Sequence, residues 1–131
     1  TRMESTILAA RDAYAMAKIE PDMVDVAEVH DAFTICEILA YEDLGFVKKG
    51  EGGMFAEESQ LGIDGKVAVN PRGGLIGTGH PIGATGVAQA VEIVTQLRKE
   101  AGRRQVKNCE VGLTHNLSAA ATSTTIITMD V

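Results

Sequence analysis

The chain has 131 residues, enough for one domain with a real core, and its 45% apolar and 23% charged content is that of an ordinary α/β protein. A formal net charge of -6 argues against nucleic acid as a partner, because phosphate binding needs concentrated positive surface. Apolar runs fall well short of the ~20 residues of a membrane span, so no membrane partner is expected either.

Met3, Ile7, Ala10, Tyr14 and Ala17 recur at three and four, which predicts an amphipathic helix over residues 2–18. The chain enters that helix directly from Thr1-Arg2 without an initiator methionine, as a fragment or a processed product would. Glu20-Pro21-Asp22 makes a turn, and Val24 to His30 reads as a buried strand. Asp31 is placed to cap a helix opening at Ala32-Phe33. Ile35, Ile38, Leu39 and Leu44 would give that helix its buried face, and Gly45 would end it.

Residues 46–66 show no sustained period and read as a long functional or interface loop. A short strand, Val67 to Asn70, leads into the glycine run Asn70 to Gly86. Val87, Ala88, Val91, Val94 and Leu97 predict a helix over 84–99, followed by a strand from Cys109 to His115 and a last strand from Ala119 to Met129. Helices alternating with short strands imply a mixed sheet with helices on its faces.

The glycine run is no phosphate loop, since it lacks Gly-Lys-Ser/Thr and a completed dinucleotide spacing. It bends the backbone and aims His80 outward from Gly79-His80-Pro81. A surface imidazole on a tight loop is one reading; a catalytic group on a rigid scaffold is the other, and the loop placement favours it. His30 stands between a strand and a helix start, either as a satisfied core histidine or as a functional one. His115-Asn116 ends a strand, where it would either orient a carbonyl or a water or simply join two antiparallel strands. Cys36 and Cys109 have no metal-ligand spacing and read as structural thiols in a reducing, cytoplasmic compartment.

Four ordered motifs, Val29-His30-Asp31-Ala32-Phe33, Asn70-Pro71-x-Gly73-Gly74, Gly79-His80-Pro81-Ile82-Gly83-Ala84-Thr85-Gly86 and Leu113-x-His115-Asn116-Leu117, resemble the C-terminal half of a thiolase (acetyl-CoA acetyltransferase). The likeness is to the sterol-carrier-protein-2-type and archaeal branch. It implies one thiolase C-terminal domain over 1–131, with a five-stranded mixed sheet. It also implies an N-terminal half carrying the nucleophilic cysteine, a homodimer or higher homo-oligomer of the complete protein, and acyl-CoA as ligand. Coenzyme A would be a substrate, with no separate cofactor.

By the same resemblance His80 activates the cysteine and helps polarise the thioester oxygen, and His30 completes that oxyanion site. Ala32 and Phe33 line the acyl and pantetheine tunnel, beside Gly79 and Pro81. His115 and Asn116 fall where other thiolases carry a Cys-x-Gly motif. This chain has no cysteine at 114–118, and Ala32 stands where related enzymes place one in a His-Asp-Cys-Phe motif. His30, His115 or a water is then left as the α-carbon base. Ser118-Ala119-Ala120 replaces a glycine-rich stretch and weakens the backbone oxyanion site expected there. Thiolysis or condensation of acyl-CoA thioesters is the first functional expectation. An aldolase or lyase working with an OB-fold partner is the second, and a lipid-carrier-like subunit with idle histidines the third. Without the nucleophile, the chain alone is expected to be inactive.

Overall fold

A computed structural model describes residues 1–58, 61–118 and 123–131. In chain order the elements are α1 (Glu4–Ala17), a 3-10 turn (Pro21–Met23), β1 (Val26–Glu28), α2 (Thr34–Asp43), α3 (Gly52–Glu57), β2 (Ala68–Val69), α4 (Gly74–Thr78), α5 (Thr85–Leu97), a second 3-10 turn (Gly102–Arg104), β3 (Val111–Leu117) and β4 (Thr124–Asp130). The sheet order is β2-β1-β3-β4. β1 runs parallel to both β2 and β3, while β4 returns antiparallel to β3, with Thr114 opposite Ile127 and Asn116 opposite Thr125.

Strand alternation divides the core in two. Ala27, Val29, Val69 and Leu113 join Met3 just ahead of α1, Ala10 and Tyr14 on it, and Ala40, Tyr41 and Leu44 of α2 and its end. On the other face Val26 and Ala68 pack with Ile93 and Leu97 of α5 and with Cys109. The mixed sheet with helices on its faces is therefore as expected, but with four strands among the described residues instead of five. Each of the four extended runs in the sequence yields one strand, and the other apolar segments are helical. The last strand starts at Thr124, while the expected start at Ala119 lies outside the described residues.

Three local expectations need correction. The segment 46–66 contains α3, whose six residues are too few to show a period. α2 begins at Thr34, three residues beyond Asp31, which caps a different helix. Its carboxylate accepts the backbone N–H groups of Leu75 at 2.6 Å and Ile76 at 3.4 Å in α4. Ile35 points outward at 55% exposure, so the buried face of α2 is carried instead by Ala40 and Tyr41, with Ile38 and Leu39 half-buried.

α5 is turned against its apolar pattern. Gln89, Glu92 and Gln96 are buried with Ile93 and Leu97, whereas Val87 is 65% and Val91 59% exposed. The inward amides have partners that fix this orientation. Gln89 Nε2 donates to the His115 carbonyl at 3.1 Å, and Gln96 Nε2 donates to the Arg104 carbonyl at 2.8 Å. Gln96 Oε1 accepts Val106 N–H at 2.9 Å, and Glu92 pairs with Arg104 at 2.9 Å. Buried polar groups are tolerated where they are hydrogen-bonded, so α5 is tied to β3 through Gln89 and to Arg104 and Val106 through Glu92 and Gln96, with Val87 and Val91 left outside.

Candidate active site

Two loops converge beside the carboxyl end of β1. The first carries His30 immediately after the strand. β1 stops at Glu28 because the Asn70 side chain, through Oδ1, takes the Val29 N–H at 2.8 Å in place of a ladder partner. Asn70 adopts a left-handed φ of 50°, and its N–H donates to the Ala27 carbonyl at 2.8 Å. The glycine run then turns into α4. Gly74 has a φ of 61°, and a Cβ there would collide with the Asp31 carboxylate, so the position needs glycine twice over. Asp31, next to His30 in sequence, thus grips the helical turn that delivers His80.

The imidazoles of His30 and His80 meet edge to face, with ring centroids 4.9 Å apart and planes at 89°. Asn116 Oδ1 accepts from His30 Nδ1 at 2.9 Å. His80 Nδ1 lies 2.6 Å from Thr85 Oγ1 at the start of α5. His30 is 6% exposed, and burial, followed by the neighbouring His80, holds its pKa below the usual imidazole range; the Asn116 bond opposes this only in part. A neutral His30 donates from Nδ1 and keeps a free lone pair on Nε2. Around the pair lie Ala32, Phe33, Gly79 and Pro81, all exposed, with Phe33 at 70%.

His115 is not brought to this pair. It alternates with Asn116 along β3 and so enters the opposite face of the sheet, fully buried, with Nε2 3.0 Å from Thr6 Oγ1 of α1. Its Nδ1 has no partner among the described residues. Burial, and then the charge of His30, lower its pKa to about 3. Asn116 faces the other way and orients His30. The weakened backbone oxyanion site at Ser118-Ala119-Ala120 falls mostly on residues outside those described.

Sequence reasoning passed over Glu28 and Thr85. Glu28 lies two residues before His30 on the same strand face and is fully buried, with Oε2 3.7 Å from Arg72 Nε. Burial pushes its carboxyl up to about 7, against the opposing pull of the Arg72 N–H and guanidinium. The alternation Val26, Glu28, His30 was the available signal. Cys109 packs among apolar side chains and burial pushes its thiol up to about 11, while Cys36 is half-buried on α2. Among the described residues no cluster of three or more His, Cys, Asp or Glu suits a metal ion. No helix among the described residues is long and apolar enough to cross a membrane.

The family described as thiolase C-terminal domain-like matches residues 1–130. This chain belongs to that family. It is 58% identical over 117 residues to an acetyl-CoA acetyltransferase of Methanothermobacter thermautotrophicus, covering 89% of this chain and 30% of that protein. It is 49% identical over 109 residues to sterol carrier protein 2 of Rattus norvegicus, covering 83% of this chain and 20% of that protein. The chain therefore spans less than a third of these relatives. Among solved structures, an Ltp2-ChsH2(DUF35) aldolase superposes with a TM-score of 0.84 at 23% identity, covering 95% of this chain and 31% of that one, and shows the same fold. Of the two facing histidines, His80 is exposed and His30 is buried behind it.

Proposed function

We propose that this chain supplies the acid/base imidazoles of an acyltransferase acting on acyl-CoA thioesters, with the nucleophilic cysteine contributed by an N-terminal thiolase half. The observation that carries this reading is the His30–His80 pair. In thiolysis, His80 takes the thiol proton and the thiolate attacks the 3-oxo carbon. The C2–C3 bond then breaks, and the departing acetyl-CoA enolate is protonated at carbon. The thiol of coenzyme A, the second substrate, releases the acyl group. Condensation is the reverse.

With no second cysteine at hand, the α-carbon proton is assigned to His30 in preference to His115. His30 borders the open surface and has a free Nε2 in its neutral form, whereas His115 is sealed beneath α1. Asn116 keeps its place as the residue that orients His30, and Ala32, Phe33, Gly79 and Pro81 line the approach. Co-expression with a cysteine-bearing half should give coenzyme-A-dependent consumption of acetoacetyl-CoA; its absence, with acyl-CoA still bound, would leave a carrier-like subunit. The missing second cysteine also favours a lyase working with an OB-fold partner. That reading requires retro-aldol cleavage of a 3-hydroxyacyl-CoA without added thiol. A cytoplasmic location and a homodimer or larger assembly complete the proposal.

The partner half has a surface to cover. Phe33, Ile35, Ile76, Ile82, Val87 and Val91 are all exposed, Ile82 at 86%. Full burial of side chains of this kind is worth roughly 1.5–3 kcal/mol each, and contiguous exposed apolar surface marks an interface. The isolated chain is expected to self-associate at micromolar concentration in sedimentation velocity and to become a defined complex with the cysteine-bearing half. A strictly monomeric chain that ignores that half would refute the assignment.

A further inference from the structure

We infer that Thr85 is a positioning residue that fixes the neutral tautomer of His80, placing the ring proton on Nδ1 and making Nε2 the atom that accepts the thiol proton. The inference rests on the reading of His80 as the base. Thr85 Oγ1 touches two groups, His80 Nδ1 at 2.6 Å and the Pro81 carbonyl at 3.2 Å. A hydroxyl has one proton, and a carbonyl can only accept. The Pro81 carbonyl also accepts the Ala84 N–H at 2.8 Å, and the hydroxyl proton is assigned to it in this proposal, in the i to i−4 bond that threonine makes in helices. The lone pair left on Oγ1 faces Nδ1, which must donate.

The arrangement is held rigidly. Thr85 is 2% exposed, so water does not compete for its hydroxyl. Its β-branched side chain has few rotamers in a helix. The Thr85 N–H also reaches the Pro81 carbonyl, at 3.1 Å, and ties the first turn of α5 to the residue that follows His80. Both ends of the His80–Thr85 bond are thereby set by one six-residue segment.

The test is the ¹⁵N spectrum of labelled histidine in the chain, alone and complexed with the cysteine-bearing half, at alkaline pH, where imidazoles are neutral. The wild-type protein should show a pyridine-type Nε2 and a pyrrole-type Nδ1 for His80. Thr85→Val keeps the branched shape and removes the acceptor, so Nε2–H should become the main form; Thr85→Ser should restore the wild-type pattern. In the assembled enzyme, Thr85→Val should lower kcat about tenfold with KM unchanged, and Thr85→Ser should recover it. A wild-type His80 carrying its proton on Nε2 overturns the inference even where Thr85→Val does not fold. So does a folded Thr85→Val protein that keeps Nδ1–H. If acyl transfer fails while the tautomer pattern holds, the functional reading falls and only the tautomer assignment to Thr85 stands.

Discussion

Replacing His115 with asparagine should invert the acid side of the stability curve. His115 has a pKa of about 3 in the folded chain, against 6.5 for an exposed imidazole. Between those values the unfolded chain binds the proton and the folded chain does not, so stability is lost as pH falls. Over the whole interval this is worth about 5 kcal/mol, at about 1.4 kcal/mol per pH unit. Glu28 acts in the opposite sense. Its folded carboxyl titrates near 7 against 4.5 when exposed, so the folded chain holds the extra proton and stability is lost as pH rises through that window. Between pH 4.5 and 6.5 the two slopes offset each other, and the wild-type chain should be nearly flat there.

His115→Asn leaves Glu28 and Glu37, both raised by burial, opposed by His30 alone among the buried imidazoles. At pH 7.5 the variant should be weaker than wild type by about 1–3 kcal/mol, since the contact with Thr6 and the packing of the ring are lost. On acidification to pH 4.5 it should gain stability where the wild type does not. Urea unfolding at a series of pH values measures both curves. Parallel curves between pH 4.5 and 6.5 would show that His115 does not titrate as a buried neutral imidazole.

His80→Ala should cost about 10² to 10⁴ in kcat for acetoacetyl-CoA thiolysis by the assembled protein, the usual worth of a positioned general base. The roles proposed for the two histidines belong to different steps and can be separated by experiment. If His80 activates the nucleophile, His80→Ala should also slow alkylation of the cysteine by iodoacetamide at pH 7. His30→Ala should leave alkylation nearly intact while blocking proton exchange at the α-carbon of acetyl-CoA, followed by deuterium uptake. Because the rings touch, the double variant should lose much less than the product of the single losses. Equal alkylation rates in wild type and His80→Ala would remove His80 from its assigned role.

Much of the architecture was legible because periodicity survives without neighbours. α1 and α5 form where the three-and-four spacing predicts helices, β1 and β2 lie within their predicted runs, and β3 passes the predicted end at His115 to reach Leu117. The orientation of α5 was not legible, because the buried amides of Gln89 and Gln96 answer to partners on β3 and after the second 3-10 turn, far away in sequence. Asp31 was read as a cap correctly in kind and wrongly in place: its acceptor geometry suits any helix start nearby, and α4 is nearer in space than α2. The histidines were visible as residues on turns, but composition and spacing are silent about which face of β3 each side chain takes. That is why His115 and Asn116, adjacent in the motif, were grouped together and yet part company in the fold.

This parting of neighbours makes β3 intolerant of length changes. The strand is pinned on both sides, Leu113 opposite Ala27 in β1 and opposite Thr128 in β4. A side chain two places along keeps its face; a side chain one place along changes it. Removal of a single residue from the connection ahead of β3 would bring Leu117 in front of His30 in place of the Asn116 carboxamide and thrust that carboxamide into the buried slot beneath α1 that His115 fills. The register of β3 is thus part of the site, and the His115-Asn116 dipeptide behaves as its frame marker.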